Sequence, residues 1–163
     1  MKTKSIQSIK GTQDILPSEV HFWQAMERKI FEEMALFGFS EIRTPAFENT
    51  DLFSRSVGEQ TDIVSKEMYT FEDRSGGSLT LKPEATASVV RAFIQHNLDK
   101  INTLTRLFYI DALFRRERPQ KGRYRQFHQF GAELFGSEHP EADVEIISLA
   151  SSIFKSIGIN DIT

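Results

Sequence analysis

Residues 115–136 read RRERPQKGRYRQFHQFGAELFG. Residues 115–125 hold six cations and one acid, and the remainder alternates aromatic, polar and small residues. Just upstream, residues 105–114 read TRLFYIDALF, a run rich in β-branched and aromatic side chains. Both apolar runs read as strands. The cationic segment between them is too short for a helical crossover, so the two strands are expected to pair antiparallel. Strand side chains alternate faces with a period of two. In the first strand that puts Asp111, Leu113, Arg115 and Glu117 on one face and the apolar Ile110, Ala112 and Phe114 on the other. In the second, Phe127, Gln129, Gly131 and Glu133 share a face, opposite His128, Phe130, Ala132 and Leu134. Each strand therefore has a core-like face and a polar face, and the polar face is expected to be either solvent or a cleft.

Working outward, KGTQDILP at 10–17 reads as an irregular lead-in. Pro17 and Ser18 open a helix whose end is followed by Gly38, with Trp23, Met26, Ile30, Met34 and Phe37 as its apolar face. A strand is expected over 39–44, stopped by Pro45. TDLFSRSVG reads as a short helix and loop. MYTFED and SLTLKP read as paired strands joined by RSGGS, where Gly76 and Gly77 supply the positive φ of a tight turn. A helix is expected over 83–97, with Pro83 at its first position. Another starts at Pro140 among Glu141, Asp143 and Glu145, buries Val144, Ile147, Ala150, Phe154 and Ile157, and closes at Gly158. GINDIT then reads as the lead into a strand. The sum is an α+β fold, an antiparallel β-sheet flanked by helices.

The composition narrows the chemistry. A chain of 163 residues with 39% hydrophobic and 26% charged residues has an ordinary globular balance. It has no cysteine, which excludes disulfides and thiolate metal sites. His21, His96, His128 and His139 show no metal-ligand spacing, so no metal site is expected. No apolar run approaches a membrane span, and the N-terminus lacks an apolar signal core, so a cytoplasmic protein is expected. Net charge is −3, yet the six cations and one acid of residues 115–125 leave the remainder with 14 cations and 22 acids. Charge focused in one segment suits a compact polyanion such as a nucleotide triphosphate better than a long nucleic-acid backbone.

No GxxxxGK[ST], GxGxxG or GxSxG signature is present, so phosphate binding would have to use side chains on the sheet. Arg115 and Arg123 can fork onto phosphate oxygens. Phe127 offers a flat surface for a base. Gln129 can donate and accept, and Glu133 can accept from a cationic or N–H group. Between them Gly131 leaves a gap of the kind that admits a ligand. The competing reading makes the arginines a solvated hairpin tip and lets Gln129 and Glu133 face water. In LKPEATASVV, Glu84 and Thr86 fall in the first turn of a helix. There they are either a plain helix start or groups that bind an ammonium at the cleft edge.

These residues resemble a known family. FRRERPQKGRYRQFHQFGAELFG is similar to motif 2 of class II aminoacyl-tRNA synthetases, in the form found in histidyl-tRNA synthetases. KGTQDILPSE resembles the N-terminal signature of that family, and GFSEIRTPAFE resembles motif 1, with Pro45 as its proline. GEQTDIVSKEMYTFEDRSGGSLTLKPEATASVVRAF resembles the loop, hairpin and amino-acid-binding turn that follow. The likeness runs over residues 9–158.

The resemblance implies a class II synthetase-type sheet and a ligase of translation. Such an enzyme activates histidine with ATP to histidyl-adenylate and passes it to tRNA(His). It implies that Arg115 holds the α-phosphate and the amino-acid carboxylate as the catalytic cation. Glu117 would then contact the adenine edge, Phe127 would stack on adenine, and Arg123 would reach the outer phosphates. Glu84, Thr86 and Gln129 would hold the α-amino group, with Glu133 accepting from the imidazole N–H. Mg²⁺ is implied through ATP, and a homodimer through motif 1. Lys82 stands where many relatives have Arg, and Ala85 where many have Gly, which would narrow the turn beside the substrate. Motif 3, the histidine-specific motif with its second arginine and tyrosines, and the anticodon-binding domain are not in these 163 residues. Residues 1–163 are therefore expected to be the N-terminal part of a catalytic domain, inactive alone. The alternative is the synthetase-like regulatory subunit of ATP phosphoribosyltransferase, which shares the fold without the chemistry.

Overall fold

The computed structural model describes residues 5–57, 67–118 and 120–161. The loop expected over 58–66 and the last residues of GINDIT lie outside them. At the centre are two long strands, β5 (Thr105–Phe114) and β6 (Gln126–Phe135), paired antiparallel from Thr105 opposite Phe135 to Phe114 opposite Gln126. The α+β class is as expected, and so are the in-phase faces of these strands. At the other edge of β5 lies β1 (Ser40–Glu41), which pairs with it in parallel. The strand expected over 39–44 is thus cut to two residues. Ile42 N still donates to Phe108 O at 2.8 Å, but Thr44 turns away, its carbonyl and hydroxyl both accepting from Lys82 Nζ at 3.2 Å.

A second sheet has the order β2-β4-β3, from β2 (Phe47–Asn49), β3 (Tyr69–Glu72) and β4 (Ser78–Leu81). The β3–β4 hairpin is as expected, except that only Gly76 takes a positive φ (84°), and Gly77 does not. β2 escapes sequence reading because it is three residues long and follows a proline. It exists because β4 offers it an antiparallel edge.

Among the described residues four α-helices flank the sheets: α1 (Val20–Leu36), α2 (Thr50–Val57), α3 (Thr86–Gln95) and α4 (Pro140–Ser156). α1 starts later than expected, because Leu16 O accepts from both Glu19 N and Val20 N, making a turn of residues 16–19. α3 starts three residues after Pro83. The Pro83 carbonyl is taken by Arg115 Nε at 2.9 Å, and the Glu84 carboxylate caps Ala87 N at 3.1 Å. The buried face of α4 is also not the expected one. Leu149 and Ile153 are buried with Ile146 beside them, while Val144 and Ile147 are 60% and 68% exposed. α4 carries two apolar stripes, and periodicity cannot say which one meets the sheet.

The two faces of the β5–β6 ladder feed two cores. Phe108 and Ile110, with Phe130, Ala132 and Leu134, pack under α1 and α4 against Ile30, Met34, Leu149 and Ile153. Full burial of such a side chain is worth about 1.5–3 kcal/mol. Leu107, Tyr109 and Leu113 pack on the other face against Ala85 and Val89 of the α3 segment. The face read from sequence as solvent or cleft is therefore half covered by α3, and only its remainder is open. Ala85 is fully buried in that core, so its methyl group does not narrow a cleft.

Lys82 is fully buried and pairs with Asp111 on β5 as well as Thr44, so it pins β4 to the central ladder. The gap at Gly131 is also filled. Tyr109, its ladder partner, lies over it so closely that a Cβ there would sit 2.3 Å from the phenol oxygen and 2.4 Å from the ring carbon bearing it. Gly131→Ala is therefore expected to destabilise residues 1–163 by about 1–3 kcal/mol, the usual cost of overpacking. Urea unfolding measures it, and a wild-type midpoint would show that Tyr109 does not occupy this position.

Candidate functional site

The polar residues of the ladder and of the α3 start lie along one open face, in two groups of opposite charge. Arg115 follows β5 directly and extends the ladder, its N donating to Arg125 O at 2.9 Å. Its Nε reaches Pro83 O, and its guanidinium carbon sits 5.1 Å from the Phe127 ring centroid, a cation–π distance. Glu117 is mostly buried and lies between two guanidiniums, 3.1 Å from Arg123 and 4.0 Å from Arg115. The loop turns back at Gly122, where Arg123 N donates to Gln120 O at 2.9 Å. Arg115, Glu117, Arg123 and Phe127 thus form one cluster, with the Arg123 side chain 63% exposed.

The second group lies on the other side of Pro83. The Thr86 hydroxyl donates to Glu133 Oε1 at 2.7 Å. Gln129 Nε2 donates to the Tyr109 hydroxyl at 3.2 Å. Burial pushes the Glu133 carboxyl above its ordinary value of 4.5, and the nearby Glu84 charge adds to that, against the Thr86 hydrogen bond. Burial, the Glu133 charge and the Glu84 charge raise the Tyr109 phenol, while hydrogen bonding to Thr86 and Gln129 opposes them. The phenol is therefore protonated at neutral pH. Among the described residues no cation pairs with Glu133, and its hydrogen-bond partner is the Thr86 hydroxyl.

All eight residues singled out in the sequence therefore fall into these two clusters, joined through the Arg115–Pro83 contact. Glu84 does double duty, since it caps α3 as well as lending its charge to the cluster. Sequence reading missed Tyr109, although extending the period-two count back from Asp111 lands on it. It also missed the Lys82–Asp111 pair, for which no local signal exists across 29 positions.

A sequence profile of the family described as Histidyl-tRNA synthetase matches residues 11–163. The histidine–tRNA ligase of Syntrophotalea carbinolica is 52% identical over 158 residues, which are 97% of this chain and 38% of that protein. The chain belongs to the histidyl-tRNA synthetase family. The crystal structure of apo Staphylococcus aureus histidyl-tRNA synthetase superposes with a TM-score of 0.80 at 40% identity, covering 94% of this chain and 35% of that one. A Bacillus halodurans protein described as an ATP phosphoribosyltransferase regulatory subunit/histidyl-tRNA synthetase superposes with a TM-score of 0.81 at 27% identity, over 96% of this chain and 39% of that one. The chain thus spans well under half the length of the curated ligase it matches, and its antiparallel ladder with flanking helices is the class II fold of this family.

The raised Glu133 carboxyl has a consequence for stability. A carboxylate whose folded pKa lies above its unfolded value opposes folding as it ionises, so stability falls as pH rises through that window. Glu133→Gln removes this loss while keeping an oxygen for Thr86. Between about pH 4 and 7 the variant is expected to gain stability relative to wild type, read by urea unfolding at both pH values. A relative loss over that interval would mean that the folded protein stabilises the ionised carboxylate.

Proposed function

We propose that this chain is the N-terminal part of a class II catalytic domain and supplies one half of a histidyl-adenylate site. The reaction it serves is ATP-dependent activation of histidine, followed by transfer to tRNA(His). The observation that carries the reading is the division of one sheet face into a cationic end and an anionic end joined through Pro83. A histidine–ATP pair has the complementary pattern. Its phosphates and carboxylate are negative, and its ammonium and imidazole N–H are positive.

Each residue then has a role that follows from its place. Arg115 stands between the two ends, where it would bind the amino-acid carboxylate and the α-phosphate together. It offsets the negative charge that grows on the phosphoryl oxygens as the carboxylate attacks and pyrophosphate leaves. Phe127, under the same guanidinium, presents its ring to adenine, and Glu117 accepts from the adenine edge. Arg123, largely exposed at the loop, takes the outer phosphates. Glu84, Thr86 and Gln129 surround the ammonium, and Glu133 accepts the imidazole N–H.

Mg²⁺ enters with ATP. Among the described residues no cluster of three His, Asp or Glu side chains could hold a metal, and Glu117 is committed to guanidiniums. An Mg²⁺ ion would be held mainly through the nucleotide itself and would neutralise phosphate charge when bound. The working protein is proposed to be cytoplasmic and homodimeric, with α1 and β1 at the interface. No helix among the described residues is long and apolar enough to cross a membrane. A regulatory subunit that only senses histidine would need the anionic end alone, so the intact Arg115–Glu117–Arg123–Phe127 cluster favours the ligase.

In the full-length protein carrying this segment, Arg115→Ala is expected to reduce histidine-dependent pyrophosphate–ATP exchange by at least about 100-fold, the scale of losing one group that stabilises transition-state charge. Exchange near the wild-type rate would remove Arg115 from this role. Residues 1–163 alone are expected to show no exchange above background, and turnover by them would place a complete site within this chain.

A further inference from the structure

Among the described residues, Tyr109 is the one side chain of the anionic end to which the proposed reaction gives no part. It is 3% exposed, it belongs to the α3-facing core, and its phenol lies directly over Gly131. Its hydroxyl accepts the Gln129 Nε2 hydrogen at 3.2 Å. We propose that Tyr109 is a positioning residue for the ammonium of the substrate, holding the Gln129 amide so that its carbonyl oxygen, and not its NH₂, faces the incoming cation. The inference rests on the histidine site proposed above and deepens it.

The reasoning is one of donor and acceptor inventory. A carboxamide has one accepting end and one donating end, and free rotation would present either to the ligand. An ammonium has only donors, so a misoriented NH₂ is repulsive. With Nε2 committed to the phenol, Oε1 is the end left over. The neighbouring groups are set in the same sense. The Thr86 proton goes to Glu133, so the phenol that also hydrogen-bonds Thr86 meets its oxygen as a donor and leaves one lone pair there for the ligand. The Glu84 carboxylate supplies negative charge without a proton to donate. The Gly131 position makes this arrangement possible, since any Cβ there would displace the phenol. The ring and the hydroxyl therefore do different jobs. The ring fills the core beside Ala85 and Val89, and the hydroxyl sets the polarity of the site.

Tyr109→Phe separates the two, because it keeps the ring and removes the acceptor. In the full-length protein it is expected to raise the KM for histidine about tenfold in pyrophosphate exchange, with kcat and the KM for ATP within about twofold. Imidazolepropionate, which is histidine without its ammonium, serves as the control ligand. Its inhibition constant is expected to stay within about twofold, because the Gln129 orientation matters only to the ammonium. An unchanged histidine KM would overturn the proposal while leaving the histidine site intact. Equal weakening of histidine and imidazolepropionate would also overturn it, since Tyr109 would then shape the whole pocket. Parallel loss of kcat, both KM values and thermal midpoint would reduce Tyr109 to a packing residue and overturn it likewise. A wild-type protein without histidine-dependent exchange would instead overturn the reading of the site, and this inference with it.

Discussion

The register of the β5–β6 ladder is the constraint on which the rest depends. It sets Leu113 opposite Phe127, Asp111 opposite Gln129, Tyr109 opposite Gly131 and Leu107 opposite Glu133. A slip by one residue would carry every one of these side chains to the other face. The register is held from both sides. Phe108 and Ile110 with Phe130 and Ala132 need the helix pair α1–α4, while Leu107, Tyr109 and Leu113 need α3. Tyr109 adds a steric lock, because only a glycine opposite it leaves room for the ring.

On that frame the charges sort by position. The loop after β5 brings Arg115 back against Pro83 and over Phe127, so the cations collect where the ladder ends. The carboxylates of Glu84 and Glu133 lie further along, beside the start of α3. Glu117 is neutralised among these cations, whereas Glu84 and Glu133 make no ion pair among the described residues. Glu133 keeps a carboxyl raised by burial with no cation paired to it among the described residues, a local conflict of the kind expected at a binding site.

Much of this was legible in sequence, for one physical reason: period-two alternation is exact in a regular strand. It gave the shared face of Phe127, Gln129, Gly131 and Glu133 and the continuation into Arg115 and Glu117. What it could not give depends on contacts between distant segments. Lys82 and Asp111 meet only because β4 docks beside β5. β2 forms only because β4 has a free edge. α4 chose Leu149 and Ile153 over Val144 and Ile147 because of how it lies on α1 and the sheet. The start of α3 moved past Pro83 because a carbonyl there was wanted by Arg115. The gap at Gly131 looked open in one strand and is closed by its neighbour.

The central claim is that one face of this ladder binds an amino acid at its anionic end and a nucleotide at its cationic end. A crystal structure of the full-length protein with a non-hydrolysable histidyl-adenylate analogue tests it most directly. The account predicts the imidazole against Glu133, the ammonium among Glu84, Thr86 and Gln129, and the phosphate mimic on Arg115 with adenine over Phe127. An analogue bound elsewhere, or bound here in the reverse sense with adenine at Glu133, would contradict it.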